Sequence, residues 1–543
     1  MFVIRIQHKI ILTISILFQC LAVLSQDFPT SFPWINDTVY IAGASSKSGD
    51  GSREKPYNSW DEFSFKSRTA YLFKRGDTLE VFRKVSIGVD SVYFGGYGSG
   101  ARPLFYGTTT NKHLCFYGTQ QYIQGINIQC QDTGTCITFT GDTAKCDFLW
   151  ADSMELSSAW WGTNPYGYGK IILSNLYIHR IRVDGIFSSH NDTIIIKNTK
   201  IHDVNRWYDW KQDIGSSGGD CIQGESNGYV VIEDCMLDHS DMPGKFAIIQ
   251  NGADTVTVKN STLIGYEGSS AVYLGKTSAG WCIDACKIIG GNYGLFNKTR
   301  ALVKNCVFSD CGTYSICGSN MTIYNCTFAN QPEGKVLKGW TTGGWKVYNC
   351  LFYNVTQIFS ASESYVWASN NNYYNDSTFS EQPLTPWGDN VTSYKPLFKK
   401  DNGSYDFFLQ ENSMLIDAGA DLSLLGVDKD INGKSRPNGN GYEIGAYEYY
   451  SDEDNNTSGD NPDFVNADIV AFPNPSSGEF TIKSSGGAIR KLIVFSVSGE
   501  KLLSEKVPGL TEYKLDLSNR KTGIYCVKVW SDNQGAVLKL LKK

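Results

Sequence analysis

No Cys-x-x-Cys occurs in the 543 residues, and the pairs Cys282/Cys286 and Cys306/Cys311 have no zinc-site companions. That removes the common structural zinc modules. Basic excess is also missing: 49 Lys+Arg stand against 55 Asp+Glu, a net charge of −6. A nucleic-acid footprint is therefore not expected. Beyond the first 25 residues, no apolar run is long enough to cross a bilayer. Proline is scarce at 15 against 54 glycines, so turns must rest on Gly, Asn and Asp.

Aromatics, by contrast, reach 13%, with 31 Tyr and 13 Trp, a content suited to the flat faces of sugars. Residues 1–25 read as a secretory signal peptide. Arg5 and Lys9 form the positive start, Ile10 to Val23 the apolar core, and Val23-Leu24-Ser25 the small-residue exit. Cys20 follows Gln19, which is too large for a lipoprotein signal. The mature chain would carry −8 and 14 cysteines, with disulfides permitted but not demanded.

One phrase recurs from 174 to 350. It reads Ser-Asn-Leu, Lys-Asn-Thr, Glu-Asp-Cys, Lys-Asn-Ser, Asp-Ala-Cys, Lys-Asn-Cys, Tyr-Asn-Cys and Tyr-Asn-Cys, centred at 175, 198, 234, 260, 285, 305, 325 and 349. Each follows an alternating apolar run. A period in the low twenties built of short strands is the mark of a solenoid. The expected fold is all-β: a right-handed parallel β-helix followed by a small C-terminal β-sandwich domain. Stacked coils lie ~4.8 Å apart, so a repeated Asn can bond its amide to the next coil. From the second phrase on, the position after it is small (Thr199, Cys235, Ser261, Cys286, Cys306, Cys326, Cys350), as a tight interior corner requires. These thiols read as core packing.

The remaining chain divides around this repeat. Residues 26–80 read as a strand and helix cap, with Ser59 starting a short amphipathic helix through Phe73. The β-helix proper spans 81–395, its closure 396–450, an acidic linker 451–463 and a small β domain 464–543. The strand, polar turn and helix of the cap resemble the opening of secreted right-handed parallel β-helix proteins. Arg436-Pro437-Asn438-Gly439 and Tyr442 to Tyr449 resemble the closure of β-helix proteins exported by Bacteroidetes-type bacteria. The last domain runs Phe472-Pro473-Asn474-Pro475, Gly478-Glu479-Phe480, Leu492 to Phe495, Gly523 to Val529 and a basic end. In this order the motifs resemble the type A sorting domain of type IX secretion. That resemblance implies passage across an outer membrane, with the secretion machinery as partner and release or surface attachment as outcome.

Two coils read as carrying insertions. One spans 146–169 with Trp150, Trp160, Trp161, Tyr166 and Tyr168. The other follows His202-Asp203 with Arg206, Trp207, Tyr208, Asp209, Trp210 and Lys211. Insertions in a solenoid map to its side and often build the binding face. Rigid aromatics beside charges suit sugar rings and their hydroxyls or carboxylates.

Aligning the second strands places Asp184-Gly185-Ile186-Phe187, Asp220-Cys221-Ile222-Gln223, Phe246-Ala247-Ile248-Ile249 and Ser270-Ala271-Val272-Tyr273 in register. Asp184 and Asp220 then stack. Two such carboxylates need a shared proton or a cation; Asx capping of the turns is the structural alternative. Gln223, Glu225, Asn251, Tyr273, Lys276 and Lys298 would share the face, with His239, Asp241 and Lys245 at the next turn. Val183-Asp184-Gly185-Ile186 followed by Gly219-Asp220-Cys221-Ile222 resembles the polygalacturonase family, which would give Asp184 and Asp220 catalytic roles. Here Arg182, Val183 and Gly219 stand where that family has Asn, Thr and Asp.

Three readings stay open. A uronate polysaccharide lyase would use Lys245 or His239 as base, with Arg206, Lys211 and Lys276 as clamp. Asp220, Glu225 and Asp241 would hold Ca²⁺. A hydrolase of polygalacturonase-like or carrageenase-like type would use the paired carboxylates. A glycan-binding surface protein would use the aromatics alone: Trp160, Trp161, Trp207, Tyr208 and Trp210. The expected partner is an extracellular polysaccharide, and the expected state a monomer.

Overall fold

The computed structural model describes residues 27–108, 114–131, 134–141, 146–205, 219–240, 246–275, 277–297, 299–339, 344–359, 366–376, 388–399, 407–450, 469–484, 488–496, 501–531 and 535–543. They form two units, divided between Tyr449 and Tyr450.

The first unit is a parallel β-solenoid of about eleven turns over residues 69–374. One face is a 14-stranded parallel sheet running from Asp37–Ile41 to Val366–Ser369. The other two faces are parallel ladders within a 23-stranded sheet. The second face includes Glu155–Ala159, Tyr177–Ile181, Lys200–Ile201 and Met236–Asp238. The third includes Trp161–Tyr166, Ile186–Ser189, Ile222–Glu225, Ile248–Asn251 and Ser270–Leu274. Period-two alternation sends Ile, Val, Leu and Phe inward on all three faces, and they fuse into one continuous core. Phe308, Phe328, Phe352 and Tyr373 stack along it at centroid spacings of 5.0, 5.1 and 5.1 Å.

The recurring phrase is the corner between the first and second faces. Its middle residue is left-handed in every coil: Asn175, Asn198, Asp234, Asn260, Ala285, Asn305, Asn325 and Asn349 all have φ between 46° and 56°. Asn and Asp are the non-glycine residues that tolerate this conformation best, which explains the repeat better than an amide ladder does. The ladder is interrupted. Asn198 bonds Asn175, and Asn349 Nδ2 donates to Asn325 Oδ1 at 3.3 Å, but Ala285 has no amide to offer. The small residue that follows is buried in each case. Where it is Thr or Ser, its hydroxyl accepts the backbone N–H of the previous coil, as Thr199 does from Leu176 at 3.3 Å and Ser261 from Cys235 at 3.1 Å. The corner cysteines Cys235, Cys286, Cys306, Cys326 and Cys350 are free, buried thiols. Burial pushes the Cys235 and Cys311 thiols up to about 12, so they pack as inert apolar groups.

Two expectations change. Residues 59–73 form no helix: Thr69–Lys74 is a strand, and Trp60, Phe63 and Phe65 form an aromatic plug against Tyr71, Phe73 and Phe105. Residues 146–169 are an ordinary coil of three strands, with Ser153 at the left-handed corner. The repeat also continues past Phe352. Asn370 takes the corner (φ 55°), and Asn371 Oδ1 accepts the Cys350 N–H at 2.8 Å.

The closing segment covers the last coils through buried polar ties. Asn325 Nδ2 donates to the Glu443 carbonyl at 2.9 Å, and the Ala446 N–H to Thr327 Oγ1 at 3.0 Å. Arg436 bonds Glu448 with both side chains fully buried. The second unit has a three-stranded and a four-stranded antiparallel sheet over its own core of Phe480, Ile482, Leu492, Val494, Leu515 and Val527. This is the small β-sandwich the Gly-punctuated alternation predicts.

Candidate active site

On the third face, Ile186, Ile222, Ile248 and Val272 pair in succession. Asp184, Asp220, Phe246 and Ser270 therefore form one column, as the alignment predicts. Both carboxylates face protein. Asp184, 3% exposed, accepts the Asp220 N–H on Oδ1 at 2.9 Å and the Trp161 Nε1–H on Oδ2 at 3.2 Å. Asp220, 1% exposed, accepts the Phe246 N–H at 2.8 Å. Each Asp thus caps the first amide of the next coil. This is the Asx role, which satisfies a buried donor that would otherwise cost ~1–3 kcal/mol.

His239 is buried in the same region. Its Nε2 lies 2.8 Å from the Gly219 carbonyl, which can only accept, so the ring proton is on Nε2. Trp161 is half-buried and stacks on Phe187 at 6.0 Å, with Trp160 edge-on to it. Gln223 lies outward near Glu225, and Tyr273 stacks on Phe296 at 5.5 Å. Arg206, Trp207, Tyr208, Trp210, Lys211, Asp241, Lys245, Lys276 and Lys298 lie outside the described residues. Of the Ca²⁺ donors, Asp220 is buried and holds an amide, whereas Glu225 is exposed. Among the described residues no group of three or more His, Cys, Asp or Glu is placed to hold a metal ion.

A second constellation, absent from the sequence-based assignments, lies on the second face. Ile178 and Ile201 pair and point into the core. Their neighbours at ±1 therefore project outward, putting Tyr177 beside Lys200 and His179 beside His202. Tyr177 Oη is 2.9 Å from His202 Nε2. His179 Nε2 is 3.0 Å from Glu155 Oε1, one coil earlier. The two imidazoles stack at 5.7 Å and 13°, the Tyr177 ring lies 4.5 Å from His179, and Lys200 Nζ sits 5.9 Å from the Tyr177 ring. Partial burial, followed by the charges of Lys200 and His179, holds the His202 pKa below its ordinary value. His202 is therefore neutral at pH 7 and has a hydrogen-bonded phenol beside it. Three residues after His202, at Asn205, the chain reaches the aromatic-rich 206–211 stretch. The readable signal was Tyr177-Ile178-His179 over Lys200-Ile201-His202, aligned on the isoleucines.

Residues 470–543 match the secretion system C-terminal sorting domain. The chain is accordingly exported by type IX secretion to the cell surface or the extracellular space. No curated protein matches the chain. Among solved structures, XylC in complex with xylose is similar at 9% identity and a TM-score of 0.40, covering 76% of this chain and 98% of that one. A rhamnogalacturonan lyase is similar at 12% identity and 0.31, covering 78% and 98%. The A-module of the mannuronan C-5 epimerase AlgE6 of Azotobacter vinelandii is similar at 11% and 0.31, covering 60% and 89%.

Proposed function

We propose that the exported solenoid is a carbohydrate-active enzyme that cleaves an acidic polysaccharide by β-elimination beside a uronate. The observation that carries this reading is the 2.9 Å contact between Tyr177 and a neutral His202 on an outward face, with Lys200 adjacent. Elimination needs a base for the C5 proton, an acid for the leaving O4 and a cation for the uronate carboxylate. Neutral His202 takes the C5 proton, C4=C5 forms as the C4–O bond breaks, and Tyr177 gives its proton to the leaving oxygen. The proton on His202 then returns to Tyr177 along their hydrogen bond, restoring both groups. Lys200 neutralises the carboxylate, and His179, held by Glu155, fixes the His202 ring by stacking. In this reading Asp184, Asp220 and His239 position the coil edge. Trp160 and Trp161 would offer sugar-facing surface, and Trp207, Tyr208 and Trp210 would be contributed by the adjoining insertion.

The test is the exported protein on pectate, alginate, carrageenan and glycosaminoglycans, with and without Ca²⁺. Absorbance near 235 nm and new reducing ends are followed together. Both should rise on at least one uronate polymer, and Tyr177→Phe and His202→Ala should abolish both. Reducing ends without absorbance would mean hydrolysis and return the weight to the carboxylates. Silence in both, with the polymer bound, would make the chain a glycan-binding surface protein.

A further inference from the structure

A groove on the first face lies away from this constellation. Trp281, Ala301 and Met321 pair in succession, and Thr322 pairs with Lys346. Gly280, Arg300, Asn320 and Gly344 therefore stand in one column on four neighbouring coils. The groove holds a cavity of 680 Å³ bordered by this column, by Thr322 and Tyr324, and by Leu425 of the closing segment. That volume is within the ~300–1,000 Å³ of small-ligand sites.

The glycines at its two ends leave room for two large side chains to lie flat at its margin. A Cβ on Gly280 would stand 2.9 Å from Arg300 Cγ, and one on Gly344 would stand 2.7 Å from the Trp367 ring. Both large side chains thus lie along the sheet over a neighbour that has no side chain. Trp367 is 56% exposed, the most exposed tryptophan among the described residues. The outer wall is pinned by Lys304 Nζ, which donates to the Gly426 carbonyl at 2.6 Å.

The geometry points to a second saccharide-binding site here, taking a uronate-containing segment of a polysaccharide. An exposed indole gives a flat platform for the C–H face of a pyranose ring. Arg300 matches a carboxylate in charge and fork geometry, and Asn320, Thr322 and Tyr324 supply the mixed donors and acceptors that sugar hydroxyls need. The groove shares no residue with the Tyr177–His202 constellation. It lies four coils further along, ~20 Å by the strand spacing, on a different face. It therefore tethers polymer without taking part in bond cleavage.

Binding is measured on the full chain by affinity electrophoresis with polygalacturonate and, separately, with xylan as a neutral probe. Trp367→Ala should weaken retardation by polygalacturonate at least tenfold, and Arg300→Gln should weaken it while leaving any xylan retardation unchanged. Tyr177→Phe should retain groove binding even where turnover is lost, which separates this site from the proposed reaction. Turnover of a short oligogalacturonide, if present, should be unaltered in Trp367→Ala. Wild-type retardation in both groove variants, with unchanged melting temperature, would overturn the proposal. So would a wild-type chain that polygalacturonate does not retard.

Discussion

Tyr177 and His202 are brought together by the stacking of two coils and nothing else. Removing the phenol oxygen leaves the ring stack in place, so Tyr177→Phe should lower kcat by about 10²–10⁴-fold with little change in KM. Because His202 must be neutral to act and its pKa is held down by burial, kcat/KM should persist below pH 6.5 and fall only as acid protonates the ring. A pH–rate profile checks this. Glu443 gives a second residue-scale prediction. Desolvation, then the neighbouring Glu448, pushes its carboxyl up to about 10, so the fully buried pair holds one proton in the folded state, with Arg436 balancing the remaining charge. The unfolded chain loses that proton above about 4.5. The contribution of this pair to stability should therefore be full at acid pH and decline as pH rises above about 4.5. Glu443→Gln should flatten that slope in urea unfolding at pH 6 and pH 9. The column of Asp184 and Asp220 could be read from the sequence, but the aim of the carboxylates could not. A strand pattern places a residue in a row, and which buried amide then claims its oxygens depends on the neighbouring turn.

At the scale of the coil, the left-handed corner explains what could be read and what could not. Coils with Asn or Asp before a small residue announced themselves. The coil at 146–169 did not, because Ser153 and Met154 occupy the same places and Met is not small. The supposed helix at 59–73 was misread for a related reason: Tyr71 and Phe73 repeat at two residues, which is strand spacing. Asn325 tests the corner directly. Its φ is 47°, and its amide donates to the Glu443 and Gly445 carbonyls. Asn325→Ala should cost about 2–4 kcal/mol by losing both the conformation and the bonds. Asn325→Gly should cost about 1 kcal/mol less, since glycine keeps the conformation. Denaturant midpoints of the two variants separate the terms.

For the whole molecule, each unit carries its own core. A chain ending at Tyr449 should melt at the same temperature as the solenoid transition of the full chain, by calorimetry, while losing export. The sorting domain follows the solenoid in the chain. It is made only after the coils, and each coil pairs with the one before it, so the coils can assemble in order as the chain emerges. The export address is therefore written last, on cargo that has had time to fold, and the machinery that reads it must accept a finished rod of sheet or wait upon one that unravels.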